Sequence, residues 1–152
     1  MLIDTPVASA GLFGFINPSG LYDPSANGYS HVAVVRLPAR VIHVAGQGGE
    51  TADGALSPRF EAQVAQALDN LSLALASAGA SLADVAKLTV LVVDHDQDRL
   101  GILSDQIGRR WPLGRAPTCT LIPVPRLALD GMLFEIEATA YTASATMLAV
   151  DI

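Results

Sequence analysis

The sequence predicts an α+β domain in which two helices cover one face of a mixed β-sheet. Two apolar stripes at helical spacing, within residues 60–75 and 100–111, indicate the helices. Apolar or alternating runs of strand length before, between and after them indicate the strands. The predicted order is β-β-α-β-α-β-β, and helices between strands imply right-handed crossover connections.

The first part of the chain predicts an arm followed by two short strands. Residues 1–29 carry many Gly, Pro, Ser and Asn without a sustained period, so we expect an irregular N-terminal arm. Residues 31–37 and 40–45 have the character of strands, and the short link between them favours a hairpin. Four glycines then indicate a loop: Gly46, Gly48, Gly49 and Gly54.

The first helix is predicted to begin at Ser57, with Pro58 in the first helical position. Its apolar stripe comprises Phe60, Val64, Leu68, Leu71 and Leu75. Gln63 falls elsewhere on the circumference, among other polar residues, and Gly79 is a plausible stop.

The second half supplies three strands and the other helix. Residues 87–94 are almost continuously apolar, which indicates a strand covered on both faces. The second helical stripe ends at Pro112. Residues 118–124 and 133–141 predict two strands that are neighbours in a C-terminal hairpin, and residues 143–152 form a C-terminal extension.

Composition limits the classes of partner. The chain has 152 residues, enough for one domain, and is 51% hydrophobic, so we expect apolar surface that self-association covers. A net charge of -6 without a basic stripe argues against nucleic acid. No apolar run has the length of a membrane span. The single cysteine, Cys119, suits the cytoplasm.

Two glutamates mark the last strand as a candidate site. Glu135 and Glu137 alternate with apolar residues, so both lie on one face, about 6.6 Å apart along the strand. This spacing is compatible with acid–base catalysis by a carboxylate pair, although a strand with one solvated polar face is the commoner reason for such a pattern.

Cys119 and the histidines give weaker indications. A lone cysteine is usually a small buried apolar residue, and no basic residue within three positions favours a thiolate. His31, His43 and His95 lie far apart in the sequence, so no metal site is predicted. We interpret the D-H-D segment around His95 as a solvated turn.

Six segments together resemble the reactive intermediate deaminases, the RidA or YjgF family. In chain order, from about residue 27 to 141, they are N-G-Y-S-H-V-A-V-V, V-I-H-V-A-G-Q, Q-V-A-Q-A-L-D-N-L, V-A-K-L-T-V-L-V-V-D, V-P-R-L and F-E-I-E-A-T-A. The resemblance implies the YjgF/chorismate-mutase-like fold and a homotrimer whose sheets form a central barrel. It also implies three clefts between subunits, in which members hydrolyse imines and enamines to a ketone and ammonia without a cofactor.

The resemblance also implies roles for individual residues. Tyr29, with Ser30 after it, matches the aromatic position that lines the cleft. Glu135 matches the glutamate that holds or activates the attacking water. The strand end beside the ligand comprises Ala45, Gly46 and Gln47.

One departure from the family concerns substrate recognition. The family arginine that grips a substrate carboxylate aligns with Cys119, or with Pro117 in a shifted register. A thiol cannot replace a bidentate guanidinium contact, so we expect a small imine, enamine or activated carbonyl compound other than a simple 2-imino acid. Cys119 becomes a second candidate catalytic residue, as a nucleophile.

Two other functions are kept as alternatives. The same trimer would serve as a small-molecule-binding or chaperone-like protein if the cleft had no placed water and base. An endoribonuclease is disfavoured by the acidic charge balance.

Overall fold

The computed structural model describes residues 12–144. Its strands and helices are β1 Phe13–Ile16, β2 Val32–Val35, β3 Ala39–Gly48, α1 Phe60–Ser77, β4 Val85–Val93, α2 Gln97–Arg110, β5 Thr118–Val124 and β6 Phe134–Ala143. Short 3₁₀ turns lie at Ser25–Asn27 and Leu82–Asp84. Most of the predicted C-terminal extension and the first 11 residues of the predicted arm lie outside the described residues.

The main sheet has four strands in the order β3-β6-β4-β5. Strand β6 pairs antiparallel with both β3 and β4, whereas β5 pairs parallel with β4, as the crossover through α2 requires. The predicted α+β class, with two helices on a mixed sheet, is therefore confirmed. Strands β1 and β2 form a separate two-stranded sheet.

Three predictions of local pairing are wrong. The predicted irregular arm contains β1, which is too short to show a period in the sequence. Strands β2 and β3 do not form a hairpin, because β2 pairs with β1 and β3 lies at the far edge of the main sheet beside β6. Strands β5 and β6 are not neighbours either, since the apolar β4 lies between them and pairs with both.

The core lies between the helices and one face of the main sheet. From α1, Val64 and Leu68 are fully buried, and from β4 and β6, Val90 and Ile136 are fully buried against them. Helix α2 adds Leu103 and Ile107 to the same core. No helix within residues 12–144 covers the second face of the sheet, and Val41 and Ile122 on it are 45% and 43% exposed.

The start of α1 differs from the sequence prediction in two ways. The helix begins at Phe60 with Arg59 as its N-cap, because the Ser57 hydroxyl accepts a hydrogen bond from the Arg59 amide in a turn before the helix. Gln63 is fully buried rather than on the polar circumference. Its amide nitrogen donates to the carbonyls of Ser57 at 2.7 Å and Gly131 at 2.8 Å.

The buried Gln63 side chain also fixes the beginning of β6. Its Oε1 accepts a hydrogen bond of 2.8 Å from the amide of Leu133, immediately before the strand. The backbone at Gly49 packs so closely that a Cβ there would lie 2.5 Å from the Gln63 Cα. Gln63 therefore connects the segment that follows β3, the residues just before α1 and the beginning of β6, which is the strand that carries Glu135.

Candidate functional site

Glu135 lies on the helix-free face of the sheet, folded over the glycine-rich end of β3. Its backbone pairs with Gly48 on one side and Leu91 on the other. A Cβ at Gly46 would lie 2.6 Å from the Glu135 Cδ and would overlap the carboxylate. The structure therefore brings Gly46 and Glu135 together, and it explains why a glycine occupies position 46.

Helix α1 holds this strand end in place. The Asn70 Nδ2 donates hydrogen bonds to the carbonyls of Gly48 at 2.9 Å and Glu50 at 2.8 Å. An irregularity in the β3–β6 register between Val44 and Gln47 frees the intervening backbone from regular pairing. The side-chain amide of Gln47 donates a hydrogen bond of 3.1 Å to the Ala45 carbonyl, so these two residues shape the irregular stretch of β3 around Gly46.

Tyr29 and Ser30 lie at the opposite edge of the sheet, beside β5. Ser30 forms a parallel bridge with Thr118, and its buried hydroxyl donates to the Ala116 carbonyl at 2.6 Å. The Tyr29 hydroxyl is hydrogen-bonded to that of Tyr22. Burial, and next the bond to Tyr22, raise the pKa of Tyr29 to about 12, so its hydroxyl is neutral at physiological pH.

An aromatic cluster surrounds Tyr29. The rings of Tyr22 and Tyr29 both meet the His31 imidazole edge to face, with centroids 5.4 Å and 5.6 Å away. The His31 Nε2 donates to the Tyr22 carbonyl at 2.9 Å, because a carbonyl oxygen only accepts. The sequence analysis did not single out Tyr22, and its position seven residues before Tyr29 gave no periodic signal.

Cys119 points to the helix side of β5, where it packs against the main core with Leu121. Burial raises the pKa of its thiol to about 12. A thiolate nucleophile needs a lowered pKa, usually through a nearby cation or helix N-terminus. In this chain the surroundings of Cys119 favour a neutral, packed thiol.

Cys119 and Glu135 lie on opposite faces of the sheet. The β4 partner of Cys119 is Leu88, which is buried in the core, whereas the partner of Glu135 is Leu91. These two residues of β4 are three positions apart, so their side chains face in opposite directions. The prediction that Cys119 and Glu135 line one cleft on neighbouring strands is therefore wrong for a single chain.

Two cavities flank β5, one on each side. The cavity on the helix-free side, of about 610 Å³, reaches β2 and includes Lys87, His31 and Tyr141. The cavity on the helix side, of about 400 Å³, lies against α2. Tyr29, Cys119 and Thr120 line both cavities.

His95 is half-buried and lines the helix-side cavity, although it lies in a turn between the exposed Asp94 and Asp96. Its Nδ1 is sealed from solvent and has no hydrogen-bond partner. The tertiary packing of the segment before α2 causes this burial, and the D-H-D pattern carries no signal for it.

Neither a metal-binding side-chain group nor a membrane-spanning helix is found among the described residues. Within residues 12–144, no group of three or more His, Cys, Asp or Glu side chains is placed to hold a metal ion. No helix in that range is both long and apolar enough to cross a membrane.

Comparison with known proteins identifies the family. Residues 22–142 match the family model described as Endoribonuclease L-PSP. No curated protein sequence matches the chain. Among solved structures, the conserved Rid-family protein YyfB of Yersinia pestis, of unknown function, is 36% identical with a TM-score of 0.82, covering 87% of this chain and 100% of its own.

Two further solved structures extend the comparison. Rv2704 of Mycobacterium tuberculosis, a member of the YjgF/YER057c/UK114 family, is 30% identical with a TM-score of 0.58, covering 86% of this chain and 99% of its own. TdcF of E. coli, solved with bound serine, is 26% identical with a TM-score of 0.58, covering 72% and 85%. The match over residues 22–142, together with the mixed sheet and its two helices, means that this protein belongs to the Endoribonuclease L-PSP family, the Rid or YjgF family.

Proposed function

We propose that the protein hydrolyses a small imine, enamine or activated carbonyl compound in a cleft between two subunits of a homotrimer. The observation that carries this proposal is the separation of the site residues within one chain. Tyr29 and Cys119 lie at the β5 edge, whereas Glu135 lies on the helix-free face beyond β4. Two copies are needed to place the Tyr29 edge of one chain against the Glu135 of another.

The bare face of the sheet supports assembly. Val41 and Ile122 expose apolar side chains there, and no helix of the described chain covers them. Apolar surface of this kind on a regular sheet is stabilised by burial against another copy. The same face carries Glu135, so assembly would enclose its carboxylate.

The reaction needs a base beside the attacking water. In the proposed mechanism, the Glu135 carboxylate takes a proton from water while the water oxygen adds to the C=N carbon. The nitrogen is protonated, the C–N bond of the resulting carbinolamine breaks, and the hydroxyl proton leaves as the carbonyl forms. The products are a ketone or aldehyde and ammonia. The close fit of Glu135 over Gly46 would fix the carboxylate in one position.

The substrate is proposed to differ from a simple 2-imino acid. Strand β5 has the sequence T-C-T-L-I-P-V and carries no arginine. The Thr118 hydroxyl donates to the Ala86 carbonyl at 2.9 Å and is therefore engaged within the fold. With neither a guanidinium on this strand nor a free hydroxyl at Thr118, a substrate carboxylate would lack its usual partner.

A binding role without turnover is the second candidate. The neutral state of both the Tyr29 hydroxyl and the Cys119 thiol favours it, since neither provides an activated nucleophile. TdcF with its bound serine is a relative of the same fold that holds a small molecule.

The test compares two glutamates on the same face of β6. Glu135→Gln should lower imine hydrolysis by roughly 10²–10⁴-fold, because it removes the base and keeps the shape. Glu137→Gln is the matched control, since Glu137 is exposed two positions further along the strand. Substrates would be N-unsubstituted imines generated in the assay by enzymatic oxidation of neutral and of carboxylate-bearing primary amines, with ammonia release as the readout.

The outcomes separate the two functions. Loss of turnover in Glu135→Gln alone supports hydrolysis. Equal activity of both variants would remove Glu135 from the mechanism, and binding without ammonia release from any imine would favour the non-catalytic alternative.

A further inference from the structure

The helix-side cavity has the composition of a small-molecule site. Its floor is apolar and is formed by side chains from α2 and β5, namely Leu100, Leu103, Ile107 and Leu121. Its polar groups stand around this floor: Tyr22, Asn27, Tyr29, Thr120 and His95. A volume of about 400 Å³ suits a molecule of a single ring with short substituents.

His95 is the polar residue of this cavity that has a buried ring nitrogen without a hydrogen-bond partner. The hydroxyls of Tyr22 and Tyr29 bond to each other, whereas His95 makes no hydrogen bond within residues 12–144. The Nδ1 is sealed from solvent, so the contact with a ligand is assigned to the Nε2 as part of the inference below. An imidazole nitrogen can donate or accept there, depending on the tautomer.

The lining carries no fixed charge. None of its residues is Asp, Glu, Lys or Arg. The pKa values of the Cys119 thiol and the Tyr29 hydroxyl are both raised to about 12, so both groups are neutral at physiological pH. A charged ligand would lose hydration without gaining a counter-ion, which is costly in such surroundings.

The cavity across β5 offers the opposite environment. Lys87 lines that cavity on the helix-free side of the sheet. Its backbone pairs with that of Thr118 in β5. An anion entering beside Cys119 would therefore be attracted to the Lys87 side and away from His95. The contrast makes ligand charge the property that distinguishes the two cavities.

We propose that the helix-side cavity binds the body of an uncharged, ring-sized ligand, with His95 making the polar contact that selects it. This inference rests on the proposed function, because it names the class of substrate that would bind on the Tyr29–Cys119 side of the intersubunit cleft. His95 is thus a specificity-determining residue, and the ligand class is a neutral planar compound with one amide-like or carbonyl group.

The experiment measures binding of three matched probes to the intact protein by NMR titration. Benzamide carries a neutral polar group, benzoate is its charged counterpart, and toluene lacks the polar group. We expect benzamide to shift the methyl signals of Leu103, Ile107 and Leu121. We also expect benzoate to bind the wild type at least about tenfold more weakly than benzamide, because its charge has no counter-ion there.

Variants then test the contact with His95. His95→Phe keeps a ring and removes both nitrogens, so benzamide binding should weaken by roughly three- to tenfold while toluene binding is unchanged. His43→Phe is the matched control, since His43 lies on the helix-free face, with its Nδ1 3.3 Å from the Thr139 hydroxyl.

Several results would overturn the proposal. They are preference for benzoate with shifts around Lys87, equal benzamide affinity in His95→Phe and wild type, or no benzamide binding at millimolar concentration because a second copy of the chain fills the cavity. The titration needs no turnover, so its failure is distinct from a failure of imine hydrolysis. If Glu135→Gln loses imine hydrolysis but the wild type binds none of the three probes, only the assignment of the ligand to the helix-side cavity is removed.

Discussion

The two faces of the four-stranded sheet differ in what completes them. The helices α1 and α2 of the same chain cover one face, on which Val90 and Ile136 are fully buried. The other face carries Glu135 and the half-exposed Val41 and Ile122, and no helix of the described chain covers it. The first face accounts for folding, and the second is available for assembly and chemistry.

The largest expected effect comes from placing a charge on the bare face. Val41→Asp should convert a trimer into single chains of 15.8 kDa, because a buried carboxylate without a partner opposes association. The wild type should elute with about three chain masses in size exclusion with light scattering. Leu73→Asp on the exposed side of α1 is the control and should stay trimeric. A wild type that is monomeric would contradict the role given to this face.

The next effect separates folding from assembly by truncating one isoleucine on each face. Ile136→Ala should lower the free energy of unfolding by about 2–5 kcal/mol at every protein concentration, since the side chain is fully buried within the chain. Ile122→Ala should act mainly through association, so its effect should depend on protein concentration. Denaturant titrations at two concentrations would measure both. A loss of unfolding free energy in Ile136→Ala that depends on protein concentration would contradict the assignment of this side chain to the core of a single chain.

A smaller perturbation addresses the geometry of the bare face. Gly46→Ala should lower turnover by at least about tenfold, because the new methyl group overlaps the Glu135 carboxylate and displaces it. Gly54→Ala is a partial control: its methyl group has open space, although its φ of +84° adds backbone strain. Full activity in Gly46→Ala would mean that the position of Glu135 over the strand is unimportant.

The smallest effect is a pH dependence on the helix side. The folded-state pKa of Cys119 is raised by burial from 9.0 to about 12, so the folded chain holds the proton more tightly than the unfolded chain. The resulting stability is present below about pH 9 and is lost as pH rises toward 12. Cys119→Ala should therefore show a shallower loss of stability than wild type in this range, by at most about 1.4 kcal/mol per pH unit. Identical slopes would contradict the buried state of the thiol.

The sequence predicted what depends on local periodicity. The apolar stripe of α1 and the continuous apolar run of β4 follow directly from side-chain spacing, and both form the core. The family resemblance singled out Gly46 and Glu135 as site residues, but their close approach became visible only in the structure.

The remaining features depend on contacts that are distant in the sequence. Gln63 looks like a surface residue until its partners, 68 and 70 positions away, are known. The strand order could not be predicted from adjacency in the sequence, because β4 lies between β5 and β6 and pairs with both. The opposite orientations of Cys119 and Glu135 follow from their register, since they pair with Leu88 and Leu91 on β4, so the shared cleft within one chain was inferred wrongly.

Mixed trimers test most directly whether two chains build each cleft. Tyr29→Ala and Glu135→Gln would each be inactive alone, because each removes one side of every cleft. After unfolding and refolding an equal mixture, about a quarter of the clefts should combine an intact Tyr29 side with an intact Glu135 side, and activity should return in that proportion. No activity above that of the separate variants would contradict a cleft formed between subunits and place both sides of the site in one chain.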